Sequence, residues 1–489
     1  MKNKFYITTA IDYVNGAPHV GHAYEKILAD VLARWNRLNN VDTFFLTGTD
    51  ENAQKNAQAA KEAGIKTEEF VKKNSAVFEK LCNLLNLTND DFIKTTEKRH
   101  VKVAQSIFQT IFDKGEIYKK SYSGLYCEGC EAFLAKRDLV DERCSEHNKE
   151  PKIIEEENYF FKLSKYEKQI LKLVSSEDFI VPKGFRKEIV NRIKTDGLKD
   201  ISVSRPGMDW GINTPIDDNH KIYVWIDALS NYISALDYPN GKKFNKYWPA
   251  DIHVVGKGIN WFHSVIWPAI LMSAEIDLPK KILVHGYLTF NGQKISKSLG
   301  NAIDPITLIE KYGVDPFRYT LLKDIPFNQD GNFSENSLKE RVNNELANDL
   351  GNLIGRVLTL CEKYFEGELK KQNDDELLDK LDLCKIEKYF SKYELHHALE
   401  EIWKFVREAN KYVNDKEPWK NEKNRKEVLY NLLEALRVIS ILISPFMPGT
   451  SERINNQLGV GIGLIEDVKF GIHGDYNVKK EGVLFKKIE

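Results

Sequence analysis

The amino-acid sequence predicts a doubly wound α/β domain that is interrupted by an insertion and followed by an all-α helical bundle. Two separate stretches, near residues 4–50 and 220–285, alternate short β-branched runs with helical periodicity. This alternation is typical of a parallel sheet covered by helices. Residues 116–215 between them hold a cysteine cluster and several charged turns. After about residue 325 the apolar residues recur with helical spacing, which favours a bundle.

The first stretch predicts a strand, a loop, a helix and a second strand, in that order. Lys4–Ile11 is rich in β-branched and aromatic residues, and the Gly/Pro loop Asn15–Pro18 follows it. An amphipathic helix comes next, and the short apolar run Thr43–Thr47 predicts a buried strand. The apolar face of the helix consists of Ile27, Leu28, Val31, Leu32, Trp35 and Leu38. Such a βαβ unit predicts parallel strands.

The second α/β stretch begins near residue 220 and repeats this pattern. Its predicted elements are strands at Lys221–Trp225, Asp251–Val255 and Lys281–His285 and a helix at Trp261–Ala274. We expect the two stretches to form halves of one doubly wound domain, with residues 116–215 inserted between them.

Long periodic segments and clear helix starts characterise the rest of the chain. Asp304-Pro305 and Asp315-Pro316 each place an acid suited to an N-cap before a proline suited to the first helical position. Gly313 between them suits the end of a helix. The longer helical segments lie near 335–365, 395–413 and 425–443.

Composition and charge limit the class of protein. Hydrophobic residues make up 42% and charged residues 29% of 489, as in soluble globular proteins, and this length predicts about two to four domains. The formal net charge is −1, so a nucleic-acid partner would have to meet a local basic surface. The longest apolar run, Val438–Met447, is too short to span a bilayer, and the strand-like Phe5–Thr9 leaves no room for a leader peptide. We therefore expect a cytoplasmic protein that does not bind membranes.

The motif His19-Val20-Gly21-His22 lies where the first loop becomes the first helix. Two imidazoles beside free amide hydrogens at a helix N-terminus suit a polyphosphate, and Gly21 would let a nucleotide approach the backbone closely. Taken alone, the motif also fits a turn with two exposed histidines.

A second basic motif lies in a glycine-flanked loop after the predicted strand Lys281–His285. It consists of Lys294, Ile295, Ser296, Lys297 and Ser298. Its lysines and hydroxyls could close over the β- and γ-phosphates and offset the charge that develops when the α-phosphate is attacked. Alone it also fits a solvated loop. One such motif in each half of a doubly wound fold is far more specific than either motif by itself.

Three cysteines and a histidine cluster in the predicted insertion. Cys127 and Cys130 are followed, after thirteen residues, by Cys144 and His147. Two turns that present thiolates and an imidazole at this spacing suit tetrahedral Zn²⁺, and four protein ligands would make the site structural. The alternative is a chance cluster of reduced cysteines.

With these two phosphate motifs the chain resembles the class I aminoacyl-tRNA synthetases, whose signatures are His-x-Gly-His and Lys-Met-Ser-Lys-Ser. Ile295 replaces the methionine of the second signature. The chain is similar to the methionyl-tRNA synthetases in particular, over nearly its whole length. The segments that carry this closer resemblance are Tyr13–His19, Phe45–Glu51, Val224–Ala228 and Val284–Tyr287.

The resemblance implies a Rossmann-like catalytic domain, an insertion with a zinc knuckle, and an anticodon-binding helical domain. The halves of the catalytic domain are expected at 1–115 and 216–325, and the insertion at 116–215. Residues 326–489 would form a linking segment and the helical domain. A zinc knuckle at Cys127, Cys130, Cys144 and His147 is common in this family, in agreement with the spacing.

The resemblance also implies a methionine pocket. Asp50, at the carboxyl end of a predicted strand, would hold the substrate ammonium, and a plain helix cap is the less favoured alternative. An aromatic residue such as Trp225 is also explained by the core alone. Contacts between a thioether and aromatic rings contribute about 0.3–1.5 kcal/mol, which suits methionine. The matching positions are Ile11, Tyr13, Asp50, Trp225, Ala228, Leu229, Tyr232 and His285.

The same resemblance assigns an ATP site and the groups that stabilise charge in the reaction. ATP would bind with Mg²⁺. The ATP-binding positions are Gly21, Gly256, Lys257, Ser296 and Ser298, and the catalytic positions are His19, His22, Lys294 and Lys297. Gly258 departs from the family, which usually has Asp there, so a hydrogen bond from that acid is in doubt. Ala10 and Asp12 also replace the commoner Pro and Tyr.

A polar stripe in the helical part suggests recognition of RNA. Asn348, Asn352 and Arg356 recur every four residues and therefore share one helix face. Such a stripe is usually a solvated face. Single-stranded RNA, however, is read by amide and guanidinium groups and by stacking on aromatic rings. With Trp419, these residues match the positions with which the family reads the anticodon CAU.

The implied reaction joins L-methionine to tRNA(Met), including the initiator, at the expense of ATP, with AMP and diphosphate as products. Synthetases for isoleucine, valine or leucine carry a large editing insertion. A cysteine synthetase needs a zinc site open to the substrate thiol, whereas four protein ligands leave no free position. A cytidylyltransferase-like enzyme would leave the RNA-reading helices unexplained. An inactive RNA-binding protein stays possible because of Gly258. The chain ends at Glu489 without room for a dimerisation module, so we expect a monomer.

Overall fold

The computed structural model describes residues 4–127, 132–134, 139–145, 148–290, 293–294, 304–372 and 376–488. The first α/β stretch forms the predicted βαβ unit, to which three further helices are added. Its elements are β1 (Lys4–Thr9), β2 (Asp12–Tyr13), α1 (Val20–Leu38), β3 (Asp42–Asp50), α2 (Gln54–Glu62), α3 (Thr67–Leu84), β4 (Asp91–Lys94) and α4 (Lys98–Asp113).

The next part of the chain is dominated by an antiparallel sheet. Its elements are β5 (Ile117–Cys127), β6 (Ala132–Leu134), β7 (Leu139–Val140), β8 (Arg143–Cys144), β9 (Lys152–Phe161), α5 (Glu167–Ser175), β10 (Ile180–Val181), α6 (Lys183–Asp196), β11 (Ile201–Ser202) and β12 (Ser204–Pro206). The strand order is β11-β9-β5-β6, and β5 pairs with β9 along nearly its whole length.

In the second α/β stretch, the structure confirms two of the three predicted strands. Its elements are β13 (His220–Ile222), α7 (Val224–Leu229), α8 (Asn231–Ser234), α9 (Lys242–Tyr247), β14 (Ile252–Gly256), α10 (Trp267–Ala274), β15 (Ile282–His285), β16 (Leu288–Phe290) and β17 (Gln293–Lys294). The prediction of one strand at Lys221–Trp225 is wrong, because Val224 begins a helix. Short apolar runs fit a buried helix as well as a strand, and here the helix is formed.

The C-terminal part is helical, as predicted. Its elements are α11 (Pro305–Tyr312), α12 (Val314–Asp324), β18 (Gly331–Phe333), α13 (Glu335–Arg341), α14 (Asn352–Phe365), β19 (Glu368–Leu369), α15 (Leu383–Ser391), α16 (Leu395–Lys416), α17 (Arg425–Ile443), α18 (Pro448–Leu458) and β20 (Tyr476–Asn477). A π-helical segment, Val342–Gly351, joins α13 to α14. Among the described residues, no helix has the length and apolar character needed to cross a membrane.

The two predicted helix starts have different outcomes. Asp304 caps α11 by accepting a hydrogen bond from the amide of Ile306, with Pro305 at the first helical position, as predicted. Gly313 ends that helix with a φ of 88°. The prediction for Asp315 is wrong, because α12 already begins at Val314. The Asp315 carboxylate instead accepts a hydrogen bond from the amide of Thr450, in the C-terminal helices.

The main sheet of the described residues has seven strands, and all of its strand pairs are parallel. The order is β10-β15-β14-β1-β3, with β2 and β4 both paired with β3. Successive β1 side chains enter different cores: Phe5 and Ile7 face one layer of helices, and Tyr6 faces the other. Helices on both faces make the sheet doubly wound, as predicted.

The α/β half and the C-terminal helices share a continuous core. The ring of Trp35 in α1 stacks on Phe390 in α15, with ring centroids 3.7 Å apart. Arg318 in α12 is fully buried and forms an ion pair with Asp30 in α1 at 2.7 Å. Its guanidinium also donates to the carbonyl oxygens of Leu85, Pro445 and Phe446. This network fixes α1 against the C-terminal helices.

Candidate functional site

A cavity of about 350 Å³ opens at the carboxyl ends of β1, β3 and β14, and we call it the strand-end pocket. Ligands of open α/β sheets bind at this edge. Its lining residues are Ala10, Ile11, Asp12, Tyr13, Asn15, His19, His22, Glu25, Asp50, Lys55, Trp225, Ala228, Leu229, Asn231, Tyr232, Gly256, Gly258, Ile259, His263 and Tyr287.

The histidine motif lies at the start of α1, on one side of the pocket. His19 is the N-cap, and its Nδ1 accepts a hydrogen bond from the amide of Gly21 at 3.1 Å. The amide of His19 donates to His22 Nδ1 at 3.0 Å, and the two rings stack with centroids 3.8 Å apart. The amides expected to be free are therefore partly used by the histidines themselves. A Cβ at Gly21 would lie 2.8 Å from the His19 ring, so a larger residue there would displace this ring from its capping position.

A buried ion pair joins this end of α1 to β2. Lys26 is fully buried and its amine binds the Asp12 carboxylate. Burial disfavours its charge, but the carboxylates of Asp12 and Glu25 outweigh burial and raise the pKa of Lys26. Asp12 also lies 3.9 Å from Nε2 of His22, so the pair orients the histidine motif.

Asp50 ends β3 at the floor of the pocket and is almost completely buried. Its Oδ1 accepts a hydrogen bond from the amide of Asn52 at 3.1 Å, and its carbonyl oxygen accepts one from the side chain of Asn56. Tyr13 pairs with Asp50 across β2 and β3, so both reach the same cavity. A fixed carboxylate at the end of a strand can bind an ammonium group.

Aromatic rings form the opposite wall. Trp225 stacks on Phe262 with centroids 3.7 Å apart and nearly parallel planes. Its indole nitrogen has no hydrogen-bond partner among the described residues. A buried polar group of this kind is available to a ligand.

Tyr232 and His263 are held in one hydrogen-bonded chain. His263 Nδ1 donates to the carbonyl oxygen of Ile259 at 2.9 Å, and Nε2 then accepts from the Tyr232 hydroxyl at 2.7 Å. Burial lowers the pKa of His263 to about 4, so the ring is neutral at physiological pH. The fold therefore fixes both the tautomer and the tyrosine before any ligand binds.

His285 lies behind the wall and does not line the strand-end pocket. Its Nε2 lies 3.1 Å from Glu25 Oε2, and the other Glu25 oxygen accepts a hydrogen bond from the amide of Ala10. The ring would be 3.5 Å from a Cβ at Gly256. His285 thus positions Glu25, which does line the pocket.

Gly258 and its neighbours form the mouth of the pocket. A Cβ at Gly258 would lie 2.7 Å from the Tyr287 hydroxyl, so the glycine leaves room for this tyrosine. The amine of Lys257 lies 2.7 Å from both Asp330 oxygens and 4.2 Å from the centre of the Tyr287 ring. These contacts tie the mouth to the loop before β18.

A second cavity of about 760 Å³ lies on the C-terminal helices, and we call it the helical groove. It is lined by Ala347, Asn348, Gly351, Asn352, Gly355, Arg356, Thr359, Leu360, Trp419, Val483, Phe485, Lys486 and Lys487. Asn348 and Asn352 are exposed, and Arg356 donates to Asn414 Oδ1 at 2.8 Å. The Arg356 guanidinium lies 5.7 Å from the centre of the Trp419 ring. The predicted polar stripe and Trp419 therefore meet in one groove.

Comparisons with known proteins agree with this architecture. Residues 5–148 and 136–358 match a family described as tRNA synthetases class I (M), and residues 381–471 match the anticodon-binding domain of tRNA ligase. The methionine–tRNA ligase of Caldanaerobacter subterraneus subsp. tengcongensis is 46% identical, over 100% of this chain and 80% of the relative. That of Thermotoga maritima is 43% identical, over 99% and 80%. The chain belongs to the methionyl-tRNA synthetase family.

Solved structures of this family have the same fold. Mycobacterium tuberculosis methionyl-tRNA synthetase in complex with methionyl-adenylate is 38% identical, has a TM-score of 0.95, and covers 99% of this chain and 100% of its own. The apo form from the same organism is 35% identical with a TM-score of 0.88, covering 100% and 99%. The chain is therefore a class I aminoacyl-tRNA synthetase by fold and family.

The synthetase residues predicted from the sequence differ in where the structure places them. Seven of the eight predicted methionine positions line the strand-end pocket, all except His285, and so do His19, His22 and Gly256. The backbone of Lys294 lies in β17, paired with Thr289. Ser296, Lys297 and Ser298 lie outside the described residues, as do Cys130 and His147.

Several lining residues of this synthetase were not predicted. Glu25, Lys55, Asn231 and His263 all line the strand-end pocket. Glu25 follows His22 by three residues, so both lie on one face of α1, and this spacing could have indicated it. His263 carries no such signal, because its role depends on a contact with Tyr232 in another helix.

Proposed function

We propose that this synthetase activates L-methionine with ATP and transfers it to tRNA(Met), including the initiator tRNA. A methionine carboxylate oxygen attacks the α-phosphorus of ATP, the bond to the β-phosphate breaks, and diphosphate leaves. The adenylate then passes its acyl group to the terminal adenosine of the tRNA and releases AMP. The observation that carries this proposal is the strand-end pocket, which joins a fixed carboxylate, an aromatic wall and the histidine motif in one cavity.

In the methionine site, Asp50 binds the substrate ammonium, and the apolar wall receives the thioether. The stacked ring of Trp225 and the fixed ring of Tyr232 offer aromatic surface to the sulfur. The other proposed contacts are Ile11, Tyr13, Ala228 and Leu229, with His285 acting from behind through Glu25. Loss of one methylene changes such binding by only about 1–3 kcal/mol, so homocysteine should also be activated.

In the ATP site, the chain contributes alignment and stabilisation of charge. His19 and His22 face the phosphates from the start of α1, where the absence of a side chain at Gly21 allows close approach. Gly256 and Lys257 lie at the mouth, and the Lys294–Ser298 loop, with Ser296 and Lys297, would cover the diphosphate. Mg²⁺ bound to ATP would neutralise further charge. Lys257 must leave Asp330 to reach a phosphate.

We propose a structural zinc site in the insertion. Cys127 ends β5 and Cys144 ends β8, and the two thiols are only 1% and 2% exposed. The carbonyl oxygen of Cys144 accepts a hydrogen bond from the amide of Asn148 at 2.8 Å. Buried thiols at two strand ends fit Zn²⁺, and Cys130 with His147 would complete four ligands. Among the described residues alone, no cluster of three metal-binding side chains occurs.

We propose that the helical groove reads the anticodon. Asn348 and Asn352 present amide donors and acceptors, and Arg356 and Trp419 can bond to and stack on unpaired bases.

We also propose a cytoplasmic monomer. Large exposed apolar side chains in the described ranges are confined to Val140, Ile153, Ile462, Ile472 and Val483, and such scattered residues do not make an interface.

The test is amino-acid-dependent exchange of label between ATP and diphosphate, over a panel that includes methionine, homocysteine and cysteine. We expect strong exchange with methionine, weak exchange with homocysteine, and loss of both in Lys297→Ala. Exchange with cysteine alone would favour the rival synthetase. Absence of exchange with every amino acid would contradict adenylation and leave RNA binding as the function.

A further inference from the structure

The helical groove has a wall that lies outside both family matches. The matches end at residues 358 and 471, whereas Val483, Phe485, Lys486 and Lys487 line the groove together with the polar stripe. We call residues 483–488 the tail segment. Phe485 is buried and its ring would be 3.7 Å from a Cβ at Gly351, so it packs directly on the helix that carries the stripe.

The tail segment is anchored at both of its ends. Arg453 in α18 donates to the carbonyl oxygens of Leu484 at 2.8 Å and Val483 at 3.2 Å. Asn343 donates to the carbonyl oxygen of Ile488 and accepts a hydrogen bond from its amide, both at 2.8 Å. Because these bonds use the backbone, they hold the segment in place and leave the lysine side chains to solvent.

The charge of the groove is one-sided. Its described lining contains the cations Arg356, Lys486 and Lys487 and no carboxylate. Both lysines are exposed, and neither forms an ion pair with any described residue. Amides and an aromatic ring that share a groove with a pair of uncompensated cations match a single-stranded nucleic acid, which presents both bases and phosphates.

We propose that Lys486 and Lys487 bind backbone phosphates of the tRNA anticodon loop while the polar stripe and Trp419 read its bases. This inference rests on the proposed function of the groove. The lysines then contribute affinity that does not depend on base identity, and the stripe contributes specificity. Phe485 holds the tail segment against the helix that carries the stripe.

The salt dependence of binding gives the sharpest test. Each phosphate contact on a single strand contributes about 0.7 to the slope of log affinity against log salt, so Lys486→Gln/Lys487→Gln should lower the slope by about 1.4. At physiological salt the double variant should bind roughly tenfold more weakly. The probe is a fluorescent anticodon stem–loop that carries CAU, titrated with the full chain.

Two further variants keep the outcomes separate. The control Lys469→Gln/Lys479→Gln removes the same charge at exposed positions outside the groove and should retain the wild-type slope. Asn352→Ala should weaken binding without changing the slope. A wild-type slope in the Lys486/Lys487 variant, with binding weakened by Asn352→Ala, would overturn the role of the tail segment alone. Wild-type binding by both would overturn the anticodon function of the groove itself.

Discussion

The strand-end pocket and the helical groove hold their polar side chains in opposite ways. In the pocket, the Tyr232 hydroxyl is hydrogen-bonded to His263, and His263 is hydrogen-bonded to the carbonyl oxygen of Ile259. In the groove, Asn348 and Asn352 are exposed and form no side-chain hydrogen bond with any described residue. The side chains of the pocket are therefore fixed before a ligand binds, whereas Asn348 and Asn352 in the groove are not held by other described side chains.

This difference suits the size of the ligand that we propose for each site. A small amino acid offers few contacts, so discrimination needs groups whose positions are fixed in advance. An RNA loop brings many polar groups of its own and can satisfy exposed amides on arrival. Substitutions in the pocket should therefore affect both folding and activation, and those in the groove should affect RNA binding alone.

The largest effect is expected at Arg318, which joins the two regions. Arg318→Met leaves the buried Asp30 carboxylate without its main partner and frees three carbonyl oxygens. Removal of one partner of a buried pair costs about 3–5 kcal/mol, which urea unfolding would measure. The exposed Arg143→Met should cost less than about 1 kcal/mol. Equal costs would show that the junction is not a stabilising contact.

The next effect is expected at Asp50. Asp50→Asn keeps the shape of the side chain but removes the charge that we propose binds the substrate ammonium. A hydrogen bond to a charged group is worth about 1.5–3 kcal/mol, so the KM for methionine in the exchange reaction should rise roughly 10- to 150-fold. Asp113→Asn, an exposed carboxylate on α4, serves as the control. An unchanged KM in Asp50→Asn would remove this residue from the site.

The buried histidine of the pocket should make stability depend on pH. The pKa of His263 is about 4 in the folded chain against about 6.5 when unfolded, so the folded state favours the neutral ring. Its contribution is complete above pH 6.5 and is lost as the pH falls towards 4. By pH 5 the loss reaches about 2 kcal/mol. Urea unfolding of His263→Gln over the same pH range should lack this loss, and a parallel profile would contradict it.

The smallest effect is expected in the helical groove. Asn352→Ala removes an amide that meets its partner only in the complex, worth about 1 kcal/mol or roughly fivefold in the KM for tRNA. The free energy of unfolding should be unchanged, because the side chain is exposed and unbonded. Asn344→Ala, exposed outside the groove, should change neither quantity. A loss of stability in Asn352→Ala would break the contrast between the two regions.

Local patterns in the sequence were sufficient for most of the fold. The cap at Asp304 and the apolar face of α1 depend on neighbours a few residues away, and the structure confirms both. Asp315 has the same local pattern as Asp304. Its carboxylate, however, accepts a hydrogen bond from the amide of Thr450 in a distant helix. The run at Val224 shows the same limit, because its apolar residues fit either a strand or a buried helix.

The residues of the strand-end pocket were predicted mainly through the resemblance to the synthetase family. Residues of the strand-end pocket lie far apart in the chain, and periodicity alone cannot bring Asp50 and Trp225 together. The residues that were missed are hydrogen-bond partners of predicted residues. His263 is the partner of Tyr232, and Glu25 is the partner of His285. Such contacts depend on packing between elements, which no local pattern encodes.

The most direct test of the division between pocket and groove uses the wild-type chain and two tRNA transcripts. One carries the anticodon CAU and the other differs in a single anticodon base. We predict that kcat/KM for charging falls roughly 5- to 150-fold with the altered transcript, since a mismatched polar contact costs about 1–3 kcal/mol. Methionine-dependent exchange between ATP and diphosphate, measured with either transcript present, should be identical. Equal charging of the two transcripts would contradict the account, because the groove would then not read the anticodon.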